Sequence, residues 1–427
     1  MKIIHTSDWH LGCSLEYHNR IYEHKCFFEF LRETIRKEQV DAVLVSGDIY
    51  DSANPATDYL KLLNEFLVSL FREFPNLQMV LTGGNHDSAA RLGVDRTILE
   101  YLNTHLIPRI ETTDGGKPDL ERLIIPLKDS SGAVRAYCAA LPFIRRADIP
   151  VTYASDRSYH EDQFANAVFA LHRDLLDLMK ARAQDGEKLI VMDHTTISGS
   201  KFSDNEAEHS IVIGNVESLS SDMYQGFDYV ALGHIHAHQA LGDNPPVVYS
   251  GSPIPISFTE KNYRHGVELI TIDDDGKLSF QHVPAPRVVD IRTVPKEARP
   301  LSEVVEELKL LPEGELPPER YPFIEVQYLE DSSGMSAALS AGAYIKEALE
   351  GKDARLIKIR KIEKANPVGA EASKDASCID VASLEPEEIF RQYYFDRRKE
   401  ELPEALRLEF RRVLEEVRQQ EQNDSRA

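Results

Sequence analysis

The chain has 427 residues, a formal charge of −22, and 42% hydrophobic and 28% charged residues. This composition is typical of a folded globular protein, and the length suggests two or three domains. The acidic balance argues against a surface that coats nucleic acid through basic residues. Four scattered cysteines form no CxxC pair, which argues against a disulfide framework and a thiolate zinc site. No signal-peptide or membrane-spanning apolar run is present, so we expect a cytoplasmic protein.

The first part of the chain alternates short apolar runs with amphipathic segments. KIIHT, DAVLVSG and LQMVLTGG are separated by helical patterns at about residues 22–37 and 58–72. This alternation predicts a layered α/β fold with buried strands. Further strands are predicted at LIIPL, AVRAYCAAL, KLIVMDH, YVALGHIH, PVVYSGS and HGVELITID, with a long helix over 161–183. We expect one domain to cover residues 1–286.

A smaller unit is predicted after residue 286. Helical patterns at SEVVEELKLL and MSAALSAGAYIKEAL alternate with strand patterns at FIEVQYL and RLIKIRKI, which predicts a small α+β capping domain over residues 287–365. Residues 366–382 lack periodicity and are predicted to be a linker. Residues 383–427 predict a C-terminal pair of amphipathic helices split at Pro403. This pair can dock on the parent domain or on a partner.

Side chains with metal-binding chemistry follow the ends of several apolar runs. The carboxyl ends of parallel strands meet at one edge of a sheet, so these segments point to one place if the strands share a direction. Imidazole, carboxylate and amide oxygen together suit manganese, iron or zinc. The residues are Asp8 and His10 in SDWHLG, Asp48 in SGDIYD, Asn85, His86 and Asp87 in GGNHDS, His194 in VMDHTT, and His234 and His236 in LGHIH.

The donor set favours two metal ions. Two dications about 3.5–4 Å apart need a carboxylate between them, and Asp48, preceded by a glycine, is the natural bridge. With Asp8 as the other carboxylate, the centre stays net positive and can hold a phosphodiester despite the acidic chain. If ALGHIHAHQA is extended, His234 and His236 lie on one face about 6.6 Å apart and can each reach one metal. His238 would lie beyond both.

The ordered motifs DxH, GD, GNHD, H and GHxH resemble those of the calcineurin-like metallophosphoesterases. The resemblance implies a layered β-sandwich flanked by helices and two metal ions, usually Mn²⁺, with Mg²⁺ as another option. It implies His86 as the catalytic histidine that assists departure of the leaving oxygen. Asp87 either orients that imidazole or caps the next helix. The implied ligands are Asp8, His10 and His236 for one metal, Asn85, His194 and His234 for the other, and Asp48 as the bridge.

Several neighbouring positions have open roles. Asp51 stands where some relatives carry histidine, and we expect it to lie behind the ligands rather than among them. Asp193 precedes His194 where relatives often have glycine, and its role stays open. Trp9 is predicted to pack in the core. Arg20 follows the first motif and either contacts a nucleic-acid backbone or is solvated, and Arg145 is predicted to be a surface charge.

A narrower resemblance is to nuclease subunits that work with a coiled-coil ATPase of the ABC/SMC type. It implies a manganese-dependent DNA nuclease, with double-strand exonuclease and single-strand and hairpin endonuclease action in DNA repair, recombination and replication. It also implies a homodimer and a heterotetramer with the ATPase, which would receive the C-terminal helices. One alternative is a phosphodiesterase or pyrophosphatase for a small nucleotide, which has less need of the residues after Pro286. Another is a binding scaffold, which the complete ligand set disfavours.

Overall fold

The computed structural model describes residues 1–114, 116–148, 153, 161–201, 218–329, 335–362, 403 and 407. The chain divides into two compact units, Met1–Val288 and Val289–Ala427. The predicted linker and the predicted C-terminal helices lie outside the described residues, apart from positions 403 and 407. Within the described ranges, no helix has the length and apolarity needed to cross a membrane.

The first unit contains fourteen strands and five α-helices in the described residues. Its helices are α1 Ile21–Glu38, α2 Thr57–Glu73, α3 Ala89–Leu92, α4 Arg96–Glu100 and α5 Glu161–Arg182. Its strands are β1 Lys2–Thr6, β2 Ser14–Leu15, β3 His18–Asn19, β4 Ala42–Ser46, β5 Gln78–Thr82, β6 Thr104–Ile107, β7 Ile124–Lys128, β8 Val134–Ala140, β9 Lys188–His194, β10 Tyr229–Gly233, β11 Gln239–Asp243, β12 Pro246–Tyr249, β13 Gly266–Ile272 and β14 Leu278–Pro284.

Two six-stranded sheets form the first unit. Their strand orders are β14-β13-β1-β4-β5-β6 and β11-β12-β10-β9-β8-β7. In the first sheet β1, β4, β5 and β6 run parallel, and β13 is antiparallel to β1. In the second, β8, β9, β10 and β12 run parallel. The metal-binding motifs are therefore divided between two sheets. The sequence argument required only that the strands share a direction and did not separate them into two sheets.

Alternating side chains of the central strands explain the layers. Successive residues of a strand point to opposite faces. Ile3 and Leu44 therefore belong to the core shared with β9 and β10 of the second sheet. Ile4 and Val43 belong to a second core with the apolar faces of α1 and α2. The result is the layered sandwich flanked by helices that the resemblance implied.

The apolar runs predicted the central elements well and the peripheral ones poorly. Helices α1 and α2 each extend one residue beyond both predicted ends. The edge strands β11 and β14 were not predicted because they are half exposed and carry no continuous apolar run. Arg20 was expected in a solvated or nucleic-acid-binding position, and that expectation is wrong. Its side chain is fully buried, pairs with Glu23 and donates to the carbonyl oxygen of Pro255 at 2.8 Å.

The second unit is a small α+β module. A parallel sheet of order β15-β16-β17 has its core in Val304, Leu308, Ile324 and Ile345. The division between the units falls two residues after the predicted boundary at residue 286. Its elements are β15 Ile291–Pro300, α6 Leu301–Lys309, β16 Phe323–Leu329, α7 Met335–Ala348 and β17 Arg355–Ile362.

Candidate metal centre

The structure brings the predicted ligands together where the carboxyl ends of both sheets meet. Asp8 and Asp48 follow β1 and β4, and Asn85 follows β5. His194 is the last residue of β9, and His234 follows β10. Their ligand atoms form two groups, Asp8 with His10 and His236, and Asp48 with His194 and His234, each spanning no more than 4.8 Å.

In the first group, two imidazoles face each other. Nε2 of His10 lies 3.2 Å from Nε2 of His236. Nδ1 of His10 donates to Asp51 Oδ1 at 3.1 Å, and Nδ1 of His236 donates to Glu260 Oε1 at 3.1 Å. Because a carboxylate can only accept, each Nδ1 carries a proton, and each ring in its neutral form presents its lone pair at Nε2. Two facing lone pairs at this distance fit a metal ion bound by both.

The second group joins Asn85 to the second sheet. Its Oδ1 lies 3.0 Å from His194 Nε2 and 2.9 Å from His234 Nδ1. Nδ1 of His194 donates to the carbonyl oxygen of Ser46 at 2.8 Å, which leaves Nε2 as its ligand atom. Nε2 of His234 is buried without a hydrogen-bond partner among the described residues. An amide oxygen and two imidazole nitrogens converge here as one ligand set.

Asp48, which belongs to the second group, also reaches the first. Its Oδ2 is 3.6 Å from His10 Nε2 and 3.3 Å from His194 Nε2, so one carboxylate reaches both ligand sets. Its Oδ1 accepts the backbone N–H of His86 at 2.9 Å. Burial opposes its ionisation, but the imidazoles of His194, His10 and His86 hold the pKa of this carboxyl well below its usual range. This is the position that a bridging ligand requires.

The pKa values of His194 and His234 are shifted in opposite directions. Burial opposes protonation of His194, but Asp48 outweighs it and raises the pKa of this imidazole to about 9. A metal ion at Nε2 would therefore compete with a proton that Asp48 attracts. Burial and the nearby His194 lower the pKa of His234 to about 3, which keeps that imidazole neutral. At both histidines, the negative charge of Asp48 favours the binding of a cation.

His86 is held at the edge of the centre. Its Nδ1 donates to the carbonyl oxygen of Asp51 at 2.8 Å, and its ring centroid lies 4.8 Å from that of His10. It is partly exposed, whereas His10 is buried. With Nδ1 engaged, Nε2 is the ring atom available to exchange a proton with a substrate.

Asp87 does not contact the His86 imidazole as the catalytic expectation required, and Ser88 rather than Asp87 caps the next helix. The Asp87 carboxylate instead accepts the backbone N–H groups of Ile49 and Tyr50 at 3.0 Å and that of Gly84 at 2.9 Å. It joins the loop that carries Asp48 to the loop that carries Asn85. Its place in the structure is therefore that of a positioning residue.

Two positions left open by the sequence have defined contacts. Asp51 fixes His10 through its side chain and His86 through its backbone oxygen, as described above, and so lies behind the ligands. Asp193 accepts from His172 Nε2 at 3.0 Å and Tyr224 Oη at 2.9 Å through Oδ2. Its Oδ1 accepts the backbone N–H of His194 at 2.8 Å. Asp193 thus anchors the end of β9 from the side away from the centre.

Sequence reasoning missed Glu260, which is buried and orients His236. The only local signal is a capping-box pattern, Ser257-x-x-Glu260, and the structure contains that capping box. The pattern predicts a helix cap but gives no sign of a contact with His236. The fully buried Trp9 was predicted correctly, and it packs edge-on against Phe27 and Phe28.

Four of the predicted ligands lie in strained backbone, and the chain segments around them are in close contact. Asp8, His10, Asp48 and His234 have positive φ values of 51°, 43°, 47° and 96°. Non-glycine residues rarely adopt this region, and such strain concentrates at functional sites. A Cβ at Gly233 would lie 1.8 Å from the carbonyl oxygen of Ser46, so only glycine allows β10 to approach β4 this closely.

The positive φ at His234 also directs His234, His236 and His238 to different places. Strand β10 ends at Gly233, so these histidines do not share one strand face. His234 and His236 enter different ligand groups, while His238 turns toward Glu268 and His282. His238 therefore lies outside the dinuclear centre.

A sandwich whose strand ends converge on two ligand groups with a shared carboxylate defines a metal-dependent phosphoesterase. Residues 1–238 match the family model described as Calcineurin-like phosphoesterase. Residues 287–398 match one described as Type 5 capsule protein repressor C-terminal domain. The chain belongs to the calcineurin-like phosphoesterase family, whose members are metal-dependent hydrolases with a dinuclear centre.

Curated relatives narrow this assignment to the SbcD family, the nuclease subunits of SbcCD. The SbcD nuclease from Rhodobacter capsulatus is 37% identical over 399 residues, which covers 91% of this chain and 93% of the relative. The SbcD nuclease from Escherichia coli (strain K12) is 34% identical over 288 residues, covering 67% of this chain and 68% of the relative. Among solved structures, a dimetal phosphatase from Danio rerio has a TM-score of 0.40 and 12% identity, covering 67% of this chain and 96% of that chain.

Proposed function

We propose that this protein is a manganese-dependent DNA nuclease, the hydrolytic component of an SbcCD-type complex. The observation that carries the proposal is the placement of Asp48 between two ligand groups, each of which contains two histidines. Imidazole, carboxylate and amide oxygen in one set suit Mn²⁺. We assign Asp8, His10 and His236 to one metal and Asn85, His194 and His234 to the other, with Asp48 as the bridge.

The residues around the centre have complementary roles in this proposal. Two bound dications supply charge that stabilises the attacking and leaving oxygens of a phosphoryl displacement. His86, fixed through Nδ1 by the carbonyl oxygen of Asp51, holds a proton at Nε2 for the leaving oxygen. Arg145 lies at the rim, where its guanidinium donates to the carbonyl oxygen of Asn85 at 3.4 Å. Its charge is placed to attract a phosphate to an otherwise acidic chain.

The proposed substrates are DNA ends and hairpins. We propose exonuclease action on double-stranded ends and endonuclease action on single strands and hairpins. The relatives named above support nuclease action in general. The test uses the purified chain together with its ATPase, Mn²⁺, linear duplex, hairpin, single-stranded DNA and a small aryl phosphodiester. We expect cleavage of all four substrates, abolished by chelation and restored better by Mn²⁺ than by Mg²⁺. Cleavage of the small phosphodiester without any DNA cleavage would favour the small-nucleotide phosphodiesterase.

We also propose that residues 383–427 bind an SbcC-type ATPase, in a heterotetramer of two chains of each kind. The support is the amphipathic pattern of this segment and its position after a linker. Deletion of residues 383–427 should abolish co-purification with the ATPase and leave hydrolysis of the small phosphodiester unchanged. Unchanged association of the shortened chain with the ATPase would contradict this docking role.

A homodimer through the first unit is the third part of the proposal. Val94, Ile98 and Tyr101, around α4, are 76%, 65% and 82% exposed, a grouping that suits contact with a second copy. We expect Ile98→Glu to convert a dimer to a monomer in sedimentation velocity. The matched control is Leu310→Glu, which charges an apolar side chain 85% exposed in the second unit. A dimer that persists in Ile98→Glu, or that is lost equally in the control, would place the interface elsewhere.

A further inference from the structure

A second cluster of metal-ligand residues lies between the two sheets of the first unit. Glu268 on β13 and His282 on β14 are direct cross-strand partners in the first sheet. His238 precedes β11 at the edge of the second sheet. The ligand atoms of these three residues lie within 4.8 Å of one another. The cluster therefore joins the two layers of the sandwich through side chains alone.

Both imidazoles converge on the same carboxylate oxygen. Nδ1 of His282 lies 2.6 Å from Glu268 Oε1, and Nδ1 of His238 lies 3.0 Å from it. The two rings stack with centroids 4.1 Å apart. Glu268 is fully buried, and its Oε2 has no hydrogen-bond partner among the described residues. The side chains of His238 and His282 are 24% and 11% exposed, so an ion can reach the cluster from solvent.

Burial of the Glu268 carboxylate is unfavourable in free energy if protonated histidines alone balance its negative charge. A buried carboxylate needs a compensating positive charge and satisfied oxygens. Protonating both imidazoles would stack two like charges face to face. His5 is the other cross-strand partner of Glu268. Both ring nitrogens of His5 are engaged, by Tyr229 Oη at 3.2 Å and the carbonyl oxygen of Leu232 at 3.1 Å.

We propose that His238, Glu268 and His282 bind a third divalent metal ion, Zn²⁺ or a similar transition metal, which cross-links the two sheets. Two imidazoles and one carboxylate are a known zinc ligand set, with water in the fourth position. Zinc bonds of about 2.0–2.1 Å place neighbouring ligand atoms roughly 3.3 Å apart. The separations of 2.6 and 3.0 Å need to open by less than about 1 Å, which a small rotation of the two imidazoles supplies.

Metal counting on the full chain tests the proposal. The chain is stripped with chelator, equilibrated with Zn²⁺ and analysed for bound zinc, together with His238→Asn and His282→Asn. We expect each variant to bind one zinc ion fewer than the unsubstituted chain and to lose most of the zinc-dependent rise in Tm, with phosphodiester hydrolysis unchanged. The matched control is His105→Asn, a histidine on β6 at the opposite edge of the same sheet, which should bind zinc normally.

Two further measurements make the outcome independent of the dinuclear centre and of folding. In an Asp48→Asn background, one bound zinc ion should remain, and it should disappear when His282→Asn is added. Anomalous diffraction from zinc-soaked crystals of the unsubstituted chain should show a peak beside Glu268. Equal zinc content in His282→Asn and the unsubstituted chain, or no anomalous peak beside Glu268, overturns the proposal whatever the state of the dinuclear centre.

Discussion

Nε2 of His10 and Nε2 of His236 lie 3.2 Å apart, each with its lone pair directed at the other. In two neutral rings neither nitrogen can donate to its partner, because the single proton of each ring is held at Nδ1 by a carboxylate, Asp51 or Glu260. The two carboxylates thus do more than add negative charge behind the ligands. They select the tautomers that leave two nitrogens ready for one metal.

Glu260→Gln should weaken metal binding without removing a ligand. The amide can present its NH₂ group to His236 Nδ1 and so favour the wrong tautomer. Mn²⁺ affinity should fall by about 10–100-fold. Titration calorimetry with Mn²⁺ and hydrolysis measured against Mn²⁺ concentration check this. High Mn²⁺ should restore most of the rate, and the control Glu38→Gln, a partly exposed carboxylate paired with Lys2, should match the unsubstituted chain. A rate loss that no Mn²⁺ concentration restores would assign Glu260 another role.

His86→Gln should separate catalysis from metal binding. In the proposed mechanism, loss of the imidazole removes proton transfer to the leaving oxygen, which costs about 10²–10⁴-fold in rate. The bound Mn²⁺ count should not change, and a substrate with a good leaving group, which needs no proton, should lose much less. Loss of an Mn²⁺ ion in this variant would instead make His86 a ligand, as its grouping with His10 and Asp48 permits.

The sequence predicted that these side chains lie close together, because they lie at or shortly after the ends of buried strands. Asp8 and Asp48 come immediately after apolar runs, and parallel strands carry them to a common end without any long-range information. The predicted side chains converge although their motifs belong to two sheets, because the carboxyl ends of the strands in both sheets lie next to each other. The position of Asp48 between the other ligands is the one expected from the need for a carboxylate between two dications and from the glycine that precedes it.

The partners of these ligands could not be predicted in the same way. Glu260 reaches His236 across a loop, and Glu268 meets His282 only through the register of β13 and β14. Because β14 has only a weak apolar pattern, its register against β13 cannot be predicted from the sequence. The period-two argument for His238 assumed an extended chain, whereas His234 adopts a φ of 96° and breaks the period. Backbone strain of this kind is a product of tertiary contacts.

Gly84→Ala should disable the centre by steric contact with Asp48. A Cβ at this position would lie 2.1 Å from Asp48 Oδ1 and 2.2 Å from its backbone nitrogen. The backbone must move, so we expect loss of tight Mn²⁺ binding and a destabilisation of about 1–3 kcal/mol, measured by calorimetry and urea unfolding.

The matched control for Gly84→Ala is Gly93→Ala. Gly93 has φ −65°, and its nearest neighbour to a new Cβ would be Pro108 Cγ at 3.8 Å. This control should bind Mn²⁺ normally and be unchanged or more stable by about 0.4–1 kcal/mol. Equal behaviour of the two variants would show that the loop around Gly84 yields without moving Asp48.

His24 should make the first unit sensitive to acid. Its side chain is fully buried, and Nε2 donates to the carbonyl oxygen of Trp9 at 2.8 Å. Burial, aided by the charge of Arg20, lowers its pKa from 6.5 to about 4. The unfolded chain therefore binds more protons between these values, and the free energy of unfolding falls as pH drops from about 6.5 to about 4. At roughly 1.4 kcal/mol per pKa unit, the full effect is about 3.5 kcal/mol.

The variant His24→Gln keeps a donor for Trp9 but cannot titrate, so its stability should fall less over the same pH range. Urea unfolding at pH 7 and pH 4.5, in chelator so that metal loss does not contribute, measures the difference. Trp9 is the chain's one tryptophan, and its fluorescence reports on the first unit. Because both proteins share every other titrating group, the difference between their pH slopes isolates His24. Parallel slopes would mean that His24 takes up its proton as readily in the folded chain as in the unfolded one.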